Sequence, residues 1–224
     1  MGGVYENAPG TQRGNEKVSN MKRRLADTRL EYLAVRELKR IGCGSYVCGE
    51  PRAIPIEDII ERGYGISIEY HHLRKNMTTL GQMIFDSGHV PVYDMESQSY
   101  TLINVPPNTM LIDIRLTENK RYENRLRFTM AHELAHYILH KSYFTDNEQV
   151  PALLFGEENE DDDTIEREAN RLSSYYLVAT GQMKKAYNRL RAAGHSDNYP
   201  RQLGSLFKVS SATMEIRLRE HGLI

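Results

Sequence analysis

The feature that most constrains this chain is a segment near its middle that can form a helix with two chemically different sides. At about 100° per residue, His132, Glu133 and His136 fall on one side, and His140 continues the same row one turn later. The other side is apolar and consists of Leu134, Ala135, Ile138 and Leu139. Such a helix must bury its apolar side against other elements while its polar side faces a cleft or cavity.

The polar side carries the pattern H-E-x-x-H, which is typical of a zinc site. Two His one turn apart can direct a ring nitrogen each to one Zn²⁺, which lowers the pKa of a coordinated water to about 7. Glu133 lies beside the two His and is the expected general base. The alternative is a buried helix whose His side chains are satisfied by hydrogen bonds. It is less favoured, because the motif, the helical pattern and the two-sided arrangement agree.

A catalytic zinc site needs a third protein ligand and an open fourth position. The longer motif that supplies a third His is absent, because Ser142 occupies the position at which that His would stand. We therefore expect the third ligand on a second predicted helix, over 164–179, where an acidic residue is the natural candidate.

Two acidic residues on that second helix compete for the role of third ligand. Glu166 falls within the buried side, whereas Glu168 falls on the side of neighbouring Arg residues and solvent. Glu166 is therefore the expected ligand, together with His132 and His136. A local role for Glu166 stays open, since Asp163 and Glu166 also fit the N-cap and N3 positions of a capping box.

Other side chains near the proposed site have no assigned role. His140 can either support a metal ligand or simply be packed, and the sequence does not choose between these roles. Tyr137, Tyr175 and Tyr176 could stabilise an oxyanion, but aromatic residues at helical spacing more often belong to a core.

The distribution of apolar residues predicts helices on both sides of a β-rich middle. The predicted helices cover 21–41, a short segment from Pro55, 129–141 with Thr129 as N-cap, 164–179, 182–193 and 202–221. The predicted strands lie around 66–70, 83–85, 100–105 and 110–116. Strands precede helices instead of alternating with them, so the predicted fold class is α+β, with a small, mainly antiparallel sheet and a helical C-terminal part.

The same patterns predict the domain organisation. Residues 1–20 lack periodicity and are expected to form a flexible tail. A core that carries the zinc motif is predicted over 21–181, and a helical, helix-turn-helix-like subdomain over 182–224. The run 157–163 has six acidic residues in seven and is expected to be a solvated loop that borders the cleft.

The composition argues against two classes of partner, nucleic acids and membranes. With 29 basic and 30 acidic residues, the net charge of −1 argues against nucleic-acid binding by bulk charge alone. No apolar run approaches the roughly 18 residues of a membrane helix, and the first residues have no apolar signal core. We therefore expect a cytoplasmic protein without a membrane partner. Only two Cys are present, which excludes a disulfide-rich scaffold.

The segment from Arg127 to His140 resembles the signature of the ImmA/IrrE metallopeptidases. The resemblance extends to Pro55–Ile60, 65–70, 166–172 and 209–218, and it covers most of 25–224. One departure is visible: the family often shows Leu-Leu-Met-Pro after its Glu-bearing helix, where this chain has the stretch 176–180 without a Pro.

The resemblance implies a compact zinc endopeptidase of the gluzincin type, encoded in bacteria, phages or mobile elements. Members of the family cut, or are thought to cut, a helix-turn-helix repressor and so release the genes that it holds off. Motif matching assigns zinc ligation to His132, His136 and Glu166, and the role of general base to Glu133. The implied partner is therefore a protein substrate, a helix-turn-helix repressor.

A competing hypothesis is a non-catalytic, zinc-containing regulator or sensor that binds DNA or a repressor. The helix-turn-helix-like spacing within 202–221 favours it, although Lys208 stands where the turn prefers Gly. The segment has a net charge of only about +1, which is little positive charge for binding the phosphates of DNA. Glu133 also favours catalysis, because a structural zinc site needs no general base and usually has four protein ligands.

Overall fold

A computed structural model of the chain describes residues 27–146, 160–194 and 198–224. The predicted tail over 1–20 lies outside the described residues. None of the described helices is long and apolar enough to cross a membrane.

Helices flank a small set of strands. The helices are α1 (27–40 in the described part), α2 (Ser45–Cys48), α3 (Ile56–Asp58, continued by a π-helical turn, Ile59–Gly63), α4 (Glu123–Asp146), α5 (Glu160–Leu177), α6 (Thr180–Ala192), α7 (Tyr199–Phe207) and α8 (Ser211–Glu220). The strands are β1 (Ser67–His71), β2 (Gly81–Ile84), β3 (Gly88–Asp94), β4 (Ser99–Val105) and β5 (Thr109–Asp113). The predicted α+β class is confirmed.

The strands form two units. One is a three-stranded sheet in the order β1-β5-β2, in which β5 is parallel to β1 and antiparallel to β2. The other is the antiparallel hairpin β3–β4. Two of the three strand pairs are antiparallel, as predicted. The strand β3 was not predicted. It contains Pro91, which is tolerated there because β3 pairs with β4 alone and the missing N–H can face away from the ladder.

The central strand β5 is buried on both faces, and this determines the layers. Met110 and Ile112 belong to the main apolar cluster with α4 and α5, whereas Leu111 belongs to a smaller cluster beneath the hairpin. Alternate residues of a strand point to opposite faces, so α4 covers one face of the sheet, with α5 packed on α4, and β3–β4 cover the other face. Leu134 and Ala135, on the predicted apolar side of α4, are buried in the main cluster.

The predicted start of α4 at Thr129 is wrong. The helix begins at Glu123, directly after a 3₁₀ turn over Lys120–Tyr122 that is capped by the side chain of Asn119. Thr129 is therefore an interior helical residue, and it is buried.

The predicted start of α5 is also wrong. The helix begins at Glu160, so the second half of the acidic run is helical and not a loop, while 157–159 lie outside the described residues. Acidic residues are favourable in the first turn because they face the positive end of the helix dipole. Asp163 is consequently the fourth residue of α5 and cannot be an N-cap, which excludes the capping-box alternative for Glu166.

The predicted helix over 202–221 is two helices. The chain turns between α7 and α8 at Lys208, whose φ of 54° and ψ of 51° are left-handed. Ser210 then caps α8 by accepting a hydrogen bond from the Thr213 backbone N–H. Lys208 thus adopts the conformation for which this turn prefers Gly.

One buried cation attaches α8 to the rest of the chain. Arg217 is 1% exposed and stacks on the ring of Tyr175, with 4.3 Å from its Cζ to the ring centroid. Its Nη2 donates to Thr180 Oγ1 (2.7 Å) and to the Val178 carbonyl (3.3 Å), at the junction of α5 and α6. Its Nη1 donates to Glu220 (2.8 Å).

We predict that Arg217→Ala lowers the free energy of unfolding by about 2 to 3 kcal/mol, because it removes the hydrogen bonds to Thr180, Glu220 and the Val178 carbonyl and opens a cavity beside Tyr175. The matched control is Arg219→Ala on the same helix, whose exposed pair with Glu215 contributes less than about 0.5 kcal/mol. Urea unfolding of both variants measures the difference. Equal midpoints would contradict the structural role of Arg217.

Candidate metal centre

Two neighbouring helices bring the predicted ligands together. His132 and His136 lie one turn apart on α4, and Glu166 lies on α5, which packs against α4. Within the described residues, these three side chains are the one group of His, Cys, Asp or Glu whose donor atoms converge closely enough to hold a metal ion.

The distances between the donor atoms fit a small tetrahedral ion. The Nε2 atoms of His132 and His136 are 3.0 Å apart, and the Glu166 oxygens lie 3.2 Å and 3.3 Å from them. Zinc bonds of about 2.0–2.1 Å place tetrahedral ligands roughly 3.3–3.4 Å apart. Two imidazoles and one carboxylate are also a donor set that suits zinc and leaves a fourth position free.

The second ring nitrogen of each His has a partner that orients the ring. His132 Nδ1 lies 3.2 Å from Asn170 Oδ1, so an Nδ1–H donated to Asn170 leaves the Nε2 lone pair for a metal. His136 Nδ1 lies 3.2 Å from His140 Nδ1, and His140 Nε2 lies 3.3 Å from Glu168 Oε2.

The last two contacts form a chain from Glu168 through His140 to His136. When His140 donates its Nε2–H to Glu168, its Nδ1 becomes an acceptor for the Nδ1–H of His136, and His136 Nε2 then carries the lone pair that can bind a metal. His140 thus contacts a predicted ligand directly, which favours a supporting role over simple packing. The prediction that Glu168 points towards arginines and solvent is wrong, since its carboxylate reaches back to His140 across the helix pair.

Glu133 is positioned by α4 on one side and β2 on the other. Burial raises the pKa of its carboxyl, while the neighbouring His132 and His136 and the backbone N–H of Met83 oppose that rise. Glu166 responds in the opposite sense, because its hydrogen bonds to His132 and His136 hold its pKa well below the usual range. The two carboxyl groups of the site therefore have distinct environments, as different roles require.

The close approach of β2 to Glu133 depends on Gly81. A Cβ on Gly81 would lie 2.7 Å from Thr129 Cγ2, 2.8 Å from Glu133 Cγ and 2.9 Å from Glu133 Oε1. Any side chain at position 81 would therefore displace the carboxylate or the strand. The sequence patterns did not predict a role for Gly81, although a Gly in a strand often marks a close backbone approach.

The centre opens into a cleft of about 460 Å³ between α4 and β2. Its walls include Phe128, Thr129, Glu166 and the segment 78–83, and Arg74 is the one cationic side chain among the described lining residues. Tyr137, Tyr175 and Tyr176, the predicted oxyanion candidates, are not among them. Tyr175 lies beneath Arg217, and the Tyr176 hydroxyl is 3.2 Å from that of Tyr64.

An α+β domain in which two His and a Glu converge beside a buried Glu has the components of a metallopeptidase. Residues 112–219 match the model of the Peptidase_M78 family, so this segment of the chain is identified as an IrrE N-terminal-like domain. The resemblance to the ImmA/IrrE proteins is thereby confirmed. No curated protein matches the chain. The matched segment contains α4 to α7 and most of α8, whereas Gly81 and the rest of β2 lie outside it.

We predict a graded loss of metal affinity in two variants of α5. Glu166→Ala removes a ligand and should weaken zinc binding by more than about 100-fold, whereas Glu168→Ala removes only the support of His140 and should cost about 10–100-fold. Competition with a chromophoric chelator measures both affinities.

The control for this series is Glu69→Ala. Glu69 also pairs with a His, since it lies 3.1 Å from His71, but that pair is on β1 and away from the centre. Its zinc affinity should equal that of the unchanged protein. An unaltered affinity in Glu166→Ala would contradict the assigned ligand set.

Proposed function

We propose that the protein is a zinc-dependent endopeptidase, with His132, His136 and Glu166 as the zinc ligands and Glu133 as the general base. The observation that carries this proposal is the convergence of one ligand atom each from His132, His136 and Glu166, all within 4.8 Å of one another, at the wall of a cleft that also contains the buried Glu133 carboxylate. A structural site would need a fourth protein donor, and the described residues place none within the cluster.

The roles of the side chains follow from their positions. Zinc, when bound, polarises the scissile carbonyl and lowers the pKa of the attacking water. Glu133 accepts the proton of that water and delivers it to the nitrogen of the leaving amine, a task for which a raised carboxyl pKa is suited. Asn170 and His140 hold the rings of His132 and His136 with their Nε2 atoms towards the metal position.

The edge of β2 offers a way to hold an extended substrate. The Leu80 carbonyl accepts a hydrogen bond from the Asp113 N–H (2.8 Å), so residues at even positions of β2 face β5. In an antiparallel ladder, the backbone groups of Gly81 and Met83 then point away from β5; Glu133 takes the Met83 N–H, and the other groups lie along the open edge beside the cleft. An extended polypeptide can pair with such an edge and so bring a peptide bond to the metal.

A helix-turn-helix repressor is the substrate that we propose, and the match to the IrrE N-terminal-like domain is what supports this choice. We further propose that catalysis relieves repression, and that the units over 21–181 and 182–224 act as one catalytic body. The tail and the acidic segment up to 159 lie outside the described residues and contribute nothing to this argument.

The geometry of α8 does not favour the competing DNA-binding hypothesis. Of the basic residues on α8, Arg217 is buried, and Arg219 is paired with Glu215 at 2.7 Å. Lys208, in the turn, is paired with Glu123 of α4 at 2.6 Å. These cations are engaged within the chain, so α8 presents little positive charge for phosphates.

We predict that Glu133→Gln retains zinc and loses proteolysis by about 10²–10⁴-fold in kcat, because Gln cannot accept a proton. The measurement is cleavage of a helix-turn-helix repressor, followed by gel electrophoresis and mass spectrometry, with metal content determined in parallel. Cleavage at an unchanged rate would refute the mechanism, and no cleavage of any repressor by the unchanged protein would refute the substrate class.

We also predict that Gly81→Ala lowers kcat by about 100-fold, since a displacement of the base by about 1 Å is costly in a preorganised site. Zinc affinity should hardly change, because the atoms nearest to such a Cβ belong to Thr129 and Glu133 and not to a proposed metal ligand. Gly88→Ala is the matched control, as a Cβ there meets no atom within 4 Å. Equal kcat values in the two variants would show that Gly81 does not position Glu133.

A further inference from the structure

A second cavity adjoins the metal centre on the side of α5 and α8. It has a volume of about 540 Å³ and shares Phe128 and Glu166 with the cleft beside β2. Glu166 is a proposed zinc ligand, so the metal position lies where the two cavities meet. A polypeptide whose scissile bond sits at the metal, with one flank along β2, has its other flank at the entrance of this second cavity.

The wall of the cavity on α8 is formed by Thr213 and Ile216, which lie three residues apart and therefore on one face of the helix. Ile216 is 53% exposed, one of the few large apolar side chains of the described chain that remain open to solvent. Phe128 faces the cavity from α4. Two apolar side chains thus stand on either side of a space that begins at a metal ligand.

The charged side chains around the cavity do not select for a charged ligand. Arg171 is engaged by Glu220 and by Asp27, the latter at 3.3 Å. Asp163 and Arg167 are exposed at the wall and carry opposite charges. Asn170 is held at His132. What the cavity offers to an occupant is therefore mainly the apolar contact with Ile216 and Phe128.

We propose that this cavity is a substrate subsite on the side of the metal opposite to β2, and that it binds an apolar side chain of the substrate polypeptide against Ile216. The inference rests on the proposed peptidase function. It assigns α8, the second helix of the helix-turn-helix-like pair, to substrate selection. Ile216 is a specificity residue in this role and takes no part in the proton transfers.

The test compares Ile216→Ala with Leu206→Ala. Leu206 is an apolar residue of similar exposure (43%) on α7, and it lines neither cavity. Each variant and the unchanged protein digest the same mixture of peptides, and mass spectrometry records the residues around each cleaved bond. Zinc content and the unfolding midpoint are measured for all three proteins.

The expected result is a cleavage profile with a preferred apolar residue at one position on one side of the cleaved bond. Ile216→Ala should lower kcat/KM for such peptides by about tenfold, as the loss of methylene contacts in an apolar pocket does, and weaken the preference. Leu206→Ala should leave the profile unchanged, and zinc content should be the same in all three.

Binding provides a second readout. In the Glu133→Gln background, a fluorescent peptide with the preferred sequence should bind with a Kd about tenfold higher when Ile216→Ala is added, and with an unaltered Kd when Leu206→Ala is added.

The experiments distinguish an incorrect subsite from an incorrect peptidase function. If the unchanged protein cleaves peptides but Ile216→Ala alters neither the profile nor the Kd, the subsite is wrong and the peptidase function stands. If the unchanged protein, with its zinc site fully occupied, neither cleaves nor binds any peptide, both the proposed function and the subsite are wrong.

Discussion

The packing of α4 against α5 is the interaction on which the rest of the site depends. Each helix contributes one half of the centre: α4 carries two imidazoles and α5 the Glu166 carboxylate, with donor atoms 3.2 Å and 3.3 Å apart across the interface. The contacts of Asn170 and Glu168 cross the same interface to the far sides of the His rings. Because two helices in close contact have few ways to slide without breaking several such contacts, the ligands are preorganised by the apolar packing beneath them.

The central part of this arrangement could be predicted from the sequence. The three-and-four spacing of apolar residues defines the two sides of α4, and the same projection selects Glu166 as the residue of α5 that meets His132 and His136, although it misplaces Glu168. The order of strands and helices along the chain was enough for the α+β class. These predictions depend on local periodicity. Where one side of a helix packs against a core, the apolar residues of the sequence pattern are the ones that become buried.

The parts that the sequence did not predict depend on contacts between distant segments. Thr129 has the chemistry of an N-cap, but the 3₁₀ turn before it continues into α4 and moves the start to Glu123. The partner of Glu168 is 28 residues away, so a projection of α5 alone could not find it. Gly81 acquires its importance only when β2 meets α4; a Gly in a strand can mark a close backbone approach, but the residues around it do not indicate which element approaches.

The position of Arg217 has a consequence for how the protein would meet a ligand. Arg217 is adjacent to Ile216 in the chain. Its hydrogen bonds attach the buried side of α8 to the junction of α5 and α6, while Ile216 is exposed on α8. The surface that carries Ile216 is thus ordered before anything binds to it, so an arriving polypeptide does not bear the entropic cost of immobilising that wall. The free energy of contact at Ile216 is then available for discrimination between one side chain and another.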